Sequence, residues 1–153
     1  MKNKDNLPYR QGIQTYIFNE QDELLIINTK GDENFWKVPT GGIDDGEQPK
    51  ETLLRELKEE LNIEVIILKE LVKKNKYDWP EKFIEKSGYE YRGQEQTRFI
   101  TKIKPNQKIK PCPKEINEYK FISLNETNQY LKLKSQQEAI EEISTIYFNL
   151  IKK

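Results

Sequence analysis

Three glutamates crowd the stretch Arg55-Glu56-Leu57-Lys58-Glu59-Glu60. On a helix, residues at i, i+3 and i+4 share one face. Each residue advances about 100° around the axis, so Glu56, Glu59 and Glu60 fall within a sector of roughly 100°. Carboxylates this close repel one another, and a cation relieves the repulsion. Hard divalent ions such as Mg²⁺ favour carboxylate oxygens, retain waters and bind substrate phosphates. The preceding segment, Gly41-Gly42-Ile43-Asp44-Asp45-Gly46-Glu47, is glycine-rich. A helix presenting three carboxylates beneath such a loop is a candidate magnesium–phosphate site. A Glu-Glu pair on a lysine-rich helix is by itself commonly a solvated face. Here Glu47, Arg55, the glycines and the three glutamates occur together, with Trp36-Lys37-Val38-Pro39 leading directly into them.

The neighbouring residues are those expected of elements that would hold such a site. Pro49 fits the first turn of a helix, where its missing N–H is not needed. Leu53, Leu57 and Leu61 form an apolar stripe that can pack inward. Asn62 suits a left-handed helix terminus, and a β-branched strand is expected over residues 63–68. Upstream, residues 10–19 and 23–28 read as strands, and residues 39–46 as a loop. Downstream, residues 77–88 read as a long irregular loop and 89–103 as one strand or two. Residues 105–113 read as a second loop and 119–123 as a short strand. Ala139, Ile140, Ile143, Ile146, Tyr147 and Leu150 repeat at the helical period over 135–150. These elements predict a mixed sheet between helical layers.

A chain of 153 residues is most simply one domain with one core. Charged residues make up 34% and formal net charge is zero, which argues against capture of nucleic acid by bulk charge. Lysines nonetheless collect after the acidic segment, at 73, 74, 76, 82, 102, 104, 108, 110 and 114. They read either as solubilising charge or as a positive rim that draws polyphosphate in. The absence of histidine removes histidine bases and nearly all catalytic zinc arrangements. The lone Cys112 has neither a disulfide partner nor a histidine to activate it. The polar start, Met1 to Asn6, does not resemble a signal peptide, and the aliphatic runs are strand-sized. A cytoplasmic protein without membrane contact is expected, as a monomer or a homodimer.

Residues 41–63 resemble the Nudix box, G-x5-E-x7-R-E-U-x-E-E-x-G-U, where U is aliphatic. Gly41, Glu47, Arg55-Glu56-Leu57, Glu59-Glu60 and Ile63 match it, and Asn62 replaces the last glycine. The resemblance implies an α/β/α sandwich (an α+β fold) in which the box forms loop–helix–loop on a mixed sheet. It also implies an enzyme, a pyrophosphohydrolase acting on a nucleoside diphosphate linked to another moiety. Outside the box, the chain is similar to the RNA pyrophosphohydrolase and asymmetric dinucleoside tetraphosphate hydrolase branch. Leu7-Pro8-Tyr9-Arg10, Tyr77-Asp78-Trp79-Pro80, Tyr91 to Gln96 followed by Phe99, and Glu115 to Ser123 carry that similarity. Thr29-Lys30, Thr40 and Arg98 depart from it, Arg98 standing where tryptophan is usual.

Phosphoanhydride hydrolysis needs charge neutralisation on the phosphates and an activated water. Glu56, Glu59 and Glu60, helped by a backbone carbonyl of Gly41 or Gly42, are the expected ligands of Mg²⁺, for which Mn²⁺ can substitute. The expected base is Glu60 or Glu56, or Glu115 reaching in from another loop. Glu47 and Arg55 read as a pair that orients the box. Arg10, Lys76, Tyr77, Arg92 and Gln94 are candidates for phosphate or base contacts. The expected substrate is a nucleotide polyphosphate: diadenosine tetraphosphate cleaved to ATP and AMP, or a 5′-triphosphate RNA end. The alternatives are another nucleotide (a nucleotide sugar, ADP-ribose or a nucleoside triphosphate) and a non-catalytic nucleotide-binding regulator.

Overall fold

The computed structural model describes residues 3–152. Eight strands form one mixed sheet: β1 (Tyr9–Phe18), β2 (Leu24–Thr29), β3 (Asp32–Lys37), β4 (Thr40–Gly42), β5 (Val65–Glu70), β6 (Asn75–Asp78), β7 (Gly93–Ile103) and β8 (Ile116–Ile122). Four helices accompany them: α1 (Pro49–Leu61), α2 (Glu81–Lys86), α3 (Thr127–Tyr130) and α4 (Lys134–Ile151). The main path runs β3-β2-β1-β7-β5, with β4 on β1, β6 on β7 and β8 on β2. β1 and β7 pair in parallel along their lengths, from Tyr9 opposite Gly93 to Phe18 opposite Lys102. The other pairings are antiparallel. No helix among the described residues is long and apolar enough to cross a membrane.

Strand periodicity sends β1 side chains to two cores. Ile13 and Ile17 join Leu25, Ile27, Phe99 and the Leu53–Leu57–Leu61 stripe of α1 on one face. Tyr16 and Phe18 join Ile26, Ile100 and the Ile140, Ile143 and Tyr147 stripe of α4 on the other. Helices therefore cover both faces, as the sequence predicts. The Tyr147 ring stacks on Phe18 with centroids 3.8 Å apart, and the Tyr147 hydroxyl donates to Asp22 in the β1–β2 turn. The end of the chain is thereby pinned to the sheet.

α1 occupies the expected range. Pro49 is at its first position, and the Gln48 amide donates to Glu51 Oε1 at 3.0 Å. It ends at Asn62, which is left-handed with φ 56° and ψ 42°. The amides of Asn62 and Ile63 return to the carbonyls of Lys58 and Leu57. Replacing Asn62 by Gly is expected to leave stability unchanged or slightly raised. Asn62→Val should cost about 1 kcal/mol or more, because a β-branched side chain resists positive φ. Equal melting temperatures for the two variants would contradict this account.

Several segments differ from the sequence expectations. The expected loop at residues 39–46 contains β4, held by pairing with Gly12, Ile13 and Gln14 of β1. The expected irregular stretch at 77–88 contains the end of β6 and all of α2, whose Ile84 is fully buried. β3 escapes a reading of the sequence because Asp32–Lys37 has no apolar alternation. β5 lies two residues later than expected, and β8 starts three residues earlier than the expected 119. β6 forms through backbone pairing to the edge of β7, and only glycine fits at 93. A Cβ there would clash with the Tyr77 carbonyl.

Candidate active site

The glycine-rich loop is clamped between β1 and α1. Gly41 pairs with Ile13 and Gly42 with Gly12. A Cβ on Gly41 would lie 2.6 Å from Glu56 Cγ, and one on Gly12 would lie 2.7 Å from the Gly41 carbonyl. Both positions need glycine because the backbone must approach this closely. The loop consequently lies directly on the first of the three glutamates.

Arg55 ties the loop to the helix. Its Nε donates to Glu47 Oε2 at 2.7 Å and its Nη2 to Glu47 Oε1 at 2.9 Å. Glu47 Oε1 also accepts from the Asp44 amide and the Thr52 hydroxyl. These donors, Arg55 foremost, hold the Glu47 carboxyl down at about 2, so it stays ionised across the physiological range. Arg55 Nη1 reaches both Glu56 Oε1 and Glu59 Oε2 at 3.2 Å, and its Nη2 lies 3.2 Å from Asp44. One guanidinium thus gathers four carboxylates of the box.

Glu60 has no such arginine. Half-buried on α1, its carboxyl is pushed up well above the usual carboxylate range, first by burial and then by Glu56 and Glu115. Among the described residues, no three carboxylates, cysteines or histidines are drawn together as a ready coordination cluster. Glu56 and Glu59 each give one oxygen to Arg55, while Glu56 and Glu115 also face Glu60. The donor set still suits a hard divalent ion. It is all oxygen, it crowds negative charge around a half-buried Glu60, and it lies under a loop whose backbone reaches Glu56.

Glu115 arrives from the segment before β8. Its amide donates to the Cys112 carbonyl, the Cys112 amide donates to the Glu60 carbonyl at 2.7 Å, and the Lys30 amide donates to the Glu115 carbonyl at 2.9 Å. Glu60 and Glu115 therefore line one cleft of about 360 Å³, together with Thr29, Lys30, Lys37, Thr40 and Lys114. Of the lysines bordering this cleft, Lys114 belongs to the basic rim expected from the sequence, whereas the places of Lys30 and Lys37 were not legible there. The three lysines come from separate segments, and nothing in their local spacing joins them.

A second cavity, of about 500 Å³, lies between the sheet and the start of α4. Lys37 and Thr40 line both cavities. Of the expected substrate contacts, Lys76, Tyr77 and Gln94 line the second cavity. The Lys76 ammonium lies 4.6 Å from the centre of the Tyr9 ring. The Arg10 guanidinium is packed against Gly42, where a Cβ would displace it. Arg92 lines neither cavity: it donates to Asp78 Oδ2 at 3.0 Å and to the Asp5 carbonyl at 3.3 Å, holding the chain start to the β6 end. Arg98, buried, lines the second cavity and donates to Glu142 at 2.8 Å. That bond keeps the Glu142 carboxyl below its ordinary range. The departures at Thr29-Lys30, Thr40 and Arg98 all line one cavity or both.

Comparison with known proteins places the chain in a family. The NUDIX domain profile matches residues 8–143. An RNA pyrophosphohydrolase of a Nitratiruptor species is 46% identical over 130 residues, covering 80% of this chain and 83% of that protein. The RNA pyrophosphohydrolase of Campylobacter jejuni is 34% identical over 133 residues, covering 82% and 83%. Among solved structures, a C. elegans Ap4A hydrolase in a binary complex superposes with a TM-score of 0.70 at 15% identity, covering 90% of this chain and 98% of that one. The E. coli dihydroneopterin triphosphate pyrophosphohydrolase gives 0.63 at 19% identity, covering 88% and 96%. These two likenesses concern the fold. The chain belongs to the Nudix family and is a pyrophosphohydrolase of the branch that contains the RNA pyrophosphohydrolases.

Proposed function

We propose that the protein hydrolyses a phosphoanhydride bond at the 5′-triphosphate end of RNA, with Mg²⁺ as cofactor. The observation that carries this reading is that Lys37 and Thr40 line both cavities, the one bordered by Glu60 and Glu115 and the larger one. A run of phosphates can lie along Lys30, Lys37 and Lys114 past Glu60 and Glu115, while the attached nucleoside enters the larger cavity. The names of the two relatives support RNA as the substrate. A dinucleoside tetraphosphate offers the same phosphate run, and the Tyr77 ring, 42% exposed, gives a base a surface to stack on. That substrate is the second reading.

Nudix hydrolases generally use divalent metal ions. Glu56, Glu59 and Glu60, with a carbonyl of Gly41 or Gly42, would hold the ion, which when bound neutralises phosphate charge and makes a water more acidic. Glu60 and Glu115 border the same cleft, so either can take the proton of the attacking water; Glu56 is the third candidate, its Oε1 engaged by Arg55. The lysines offset charge on the phosphate oxygens. Arg55 and Glu47 keep the loop on the helix, so that these groups hold their mutual positions.

A panel of 5′-triphosphate RNA, diadenosine tetraphosphate, ADP-ribose, a nucleotide sugar and nucleoside triphosphates tests the proposal. The RNA should give the highest kcat/KM. Asymmetric cleavage of diadenosine tetraphosphate should yield ATP and AMP, and a preference for that substrate would favour the second reading. Turnover of only ADP-ribose, a sugar nucleotide or a triphosphate would overturn both.

Tyr77→Ala provides a further check. The Tyr77 hydroxyl donates to Gln94 Oε1 at 3.3 Å and its ring lines the larger cavity. Loss of one base–aromatic stack should weaken binding by about 1–3 kcal/mol. The effect should fall on KM, because a contact equal in ground and transition states leaves kcat alone. A drop in kcat with KM unchanged would contradict a stacking role.

A further inference from the structure

Three glutamines in the polar wall of the larger cavity have one-sided hydrogen bonding. Gln94 Oε1 accepts from both the Tyr77 hydroxyl and Gln96 Nε2, the latter at 2.8 Å. Gln96 Oε1 accepts from Asn75 at 2.9 Å, and Gln14 Oε1 from the Tyr16 hydroxyl at 3.1 Å. These three glutamine oxygens are engaged, the amide nitrogens of Gln14 and Gln94 remain as donors, and Asn75 Oδ1 remains as an acceptor.

Arg98 reinforces this bias. Its side chain is 6% exposed. Its Nε donates to the Lys73 carbonyl at 2.9 Å and its Nη1 to Glu142 at 2.8 Å, and the Tyr16 hydroxyl lies beside the guanidinium. Guanidinium has no acceptor atom, so this group presents only donors to a ligand. Lys73, in the β5–β6 turn, and Glu142, on α4, fix the guanidinium from two sides and leave it little freedom to turn away. Phe35, Val38, Leu131, Ala139 and Ile140 supply apolar lining to the same cavity. Such lining suits a flat heterocycle and does not suit a hydrated phosphate.

We propose that Arg98 is a specificity-determining residue that makes this cavity select a nucleobase with acceptors at O6 and N7, a 6-oxopurine, over adenine. The inference rests on the reading that this cavity takes the base of the nucleotide substrate. Guanine presents N7 and O6 as adjacent acceptors, whereas adenine pairs the N7 acceptor with an N6 donor. That 6-amino group would set donor against donor at Arg98 and leave both unpaired.

Calorimetric titration of the whole protein with GMP, IMP, AMP and 7-deaza-GMP tests this without turnover. GMP and IMP should bind about tenfold or more tightly than AMP, and 7-deaza-GMP should lose part of that advantage. Arg98→Gln should bring GMP and AMP to within about twofold of each other, because its amide can rotate to offer either a donor or an acceptor. The analogue series on the unaltered protein decides the matter even if that variant folds poorly. AMP binding as tightly as GMP, or no binding of either, would overturn the inference. Hydrolysis of triphosphate RNA without base selectivity would leave the proposed function standing and remove only Arg98's role. Selective GMP binding without such hydrolysis would do the reverse.

Discussion

Replacing Glu60 by Gln should lower kcat by roughly 10² or more while the protein remains folded. The change keeps the side chain's shape and removes its charge. It therefore abolishes both roles open to Glu60, metal ligand and proton acceptor. The linkage of its titration to folding gives a second, independent readout. The folded Glu60 carboxyl titrates above the ordinary value of 4.5 because burial, Glu56 and Glu115 disfavour its charge. The folded state therefore holds this proton more tightly than the unfolded chain does. Metal-free protein should lose stability as pH rises from about 4.5 through the raised folded value. Glu60→Gln should lack that part of the decline. In chelator at alkaline pH the variant should melt no lower than the unaltered protein. A variant with near-normal kcat, or one that melts far lower under those conditions, would contradict the assignment.

Removal of divalent metal should have the largest effect of all: turnover should cease in EDTA and return with Mg²⁺ or Mn²⁺. Arg55 engages Glu56 and Glu59 in the structure, but nothing comparable offsets the charge of Glu60. Without the ion, phosphates entering the cleft would meet Glu60 and Glu115 with only lysines to offset the repulsion. Undiminished hydrolysis in chelator would sink the metal assignment. Binding of substrate without turnover in EDTA would instead show that Lys30, Lys37 and Lys114 hold the phosphates by themselves.

How much was legible in the chain depended on the range of the interaction involved. α1 and its cap could be read directly, since Pro49, the Leu53–Leu57–Leu61 stripe and Asn62 act within one helix. That Glu56, Glu59 and Glu60 share one side of the helix follows from helical geometry alone, and the expectation of a compensating cation rested on it. α4 was equally plain, because its apolar residues repeat with the helical period. β3, β4 and β6 were not legible. β4 and β6 form through backbone pairing to strands distant in sequence, and β3, which pairs with the adjacent β2, has no apolar alternation to mark it. α2, six residues long, carries too short a pattern to show a period.

The chemistry of the site divides in the same way. By itself the sequence determined the acidic helix, the loop that covers it and the Arg55–Glu47 tie, because all lie within 23 consecutive positions, 41–63. Only the tertiary structure decided that Glu115 shares a cleft with Glu60, through the bond from the Cys112 amide to the Glu60 carbonyl. It also decided that Lys30, Lys37 and Lys114 border that cleft, that Arg92 serves the fold's edge, and that Arg98 lies beneath the larger cavity. The physical reason is that a helix sets the spacing of its own side chains. The meeting of separate segments is set instead by sheet register and by packing on both faces, which no single stretch of the chain contains.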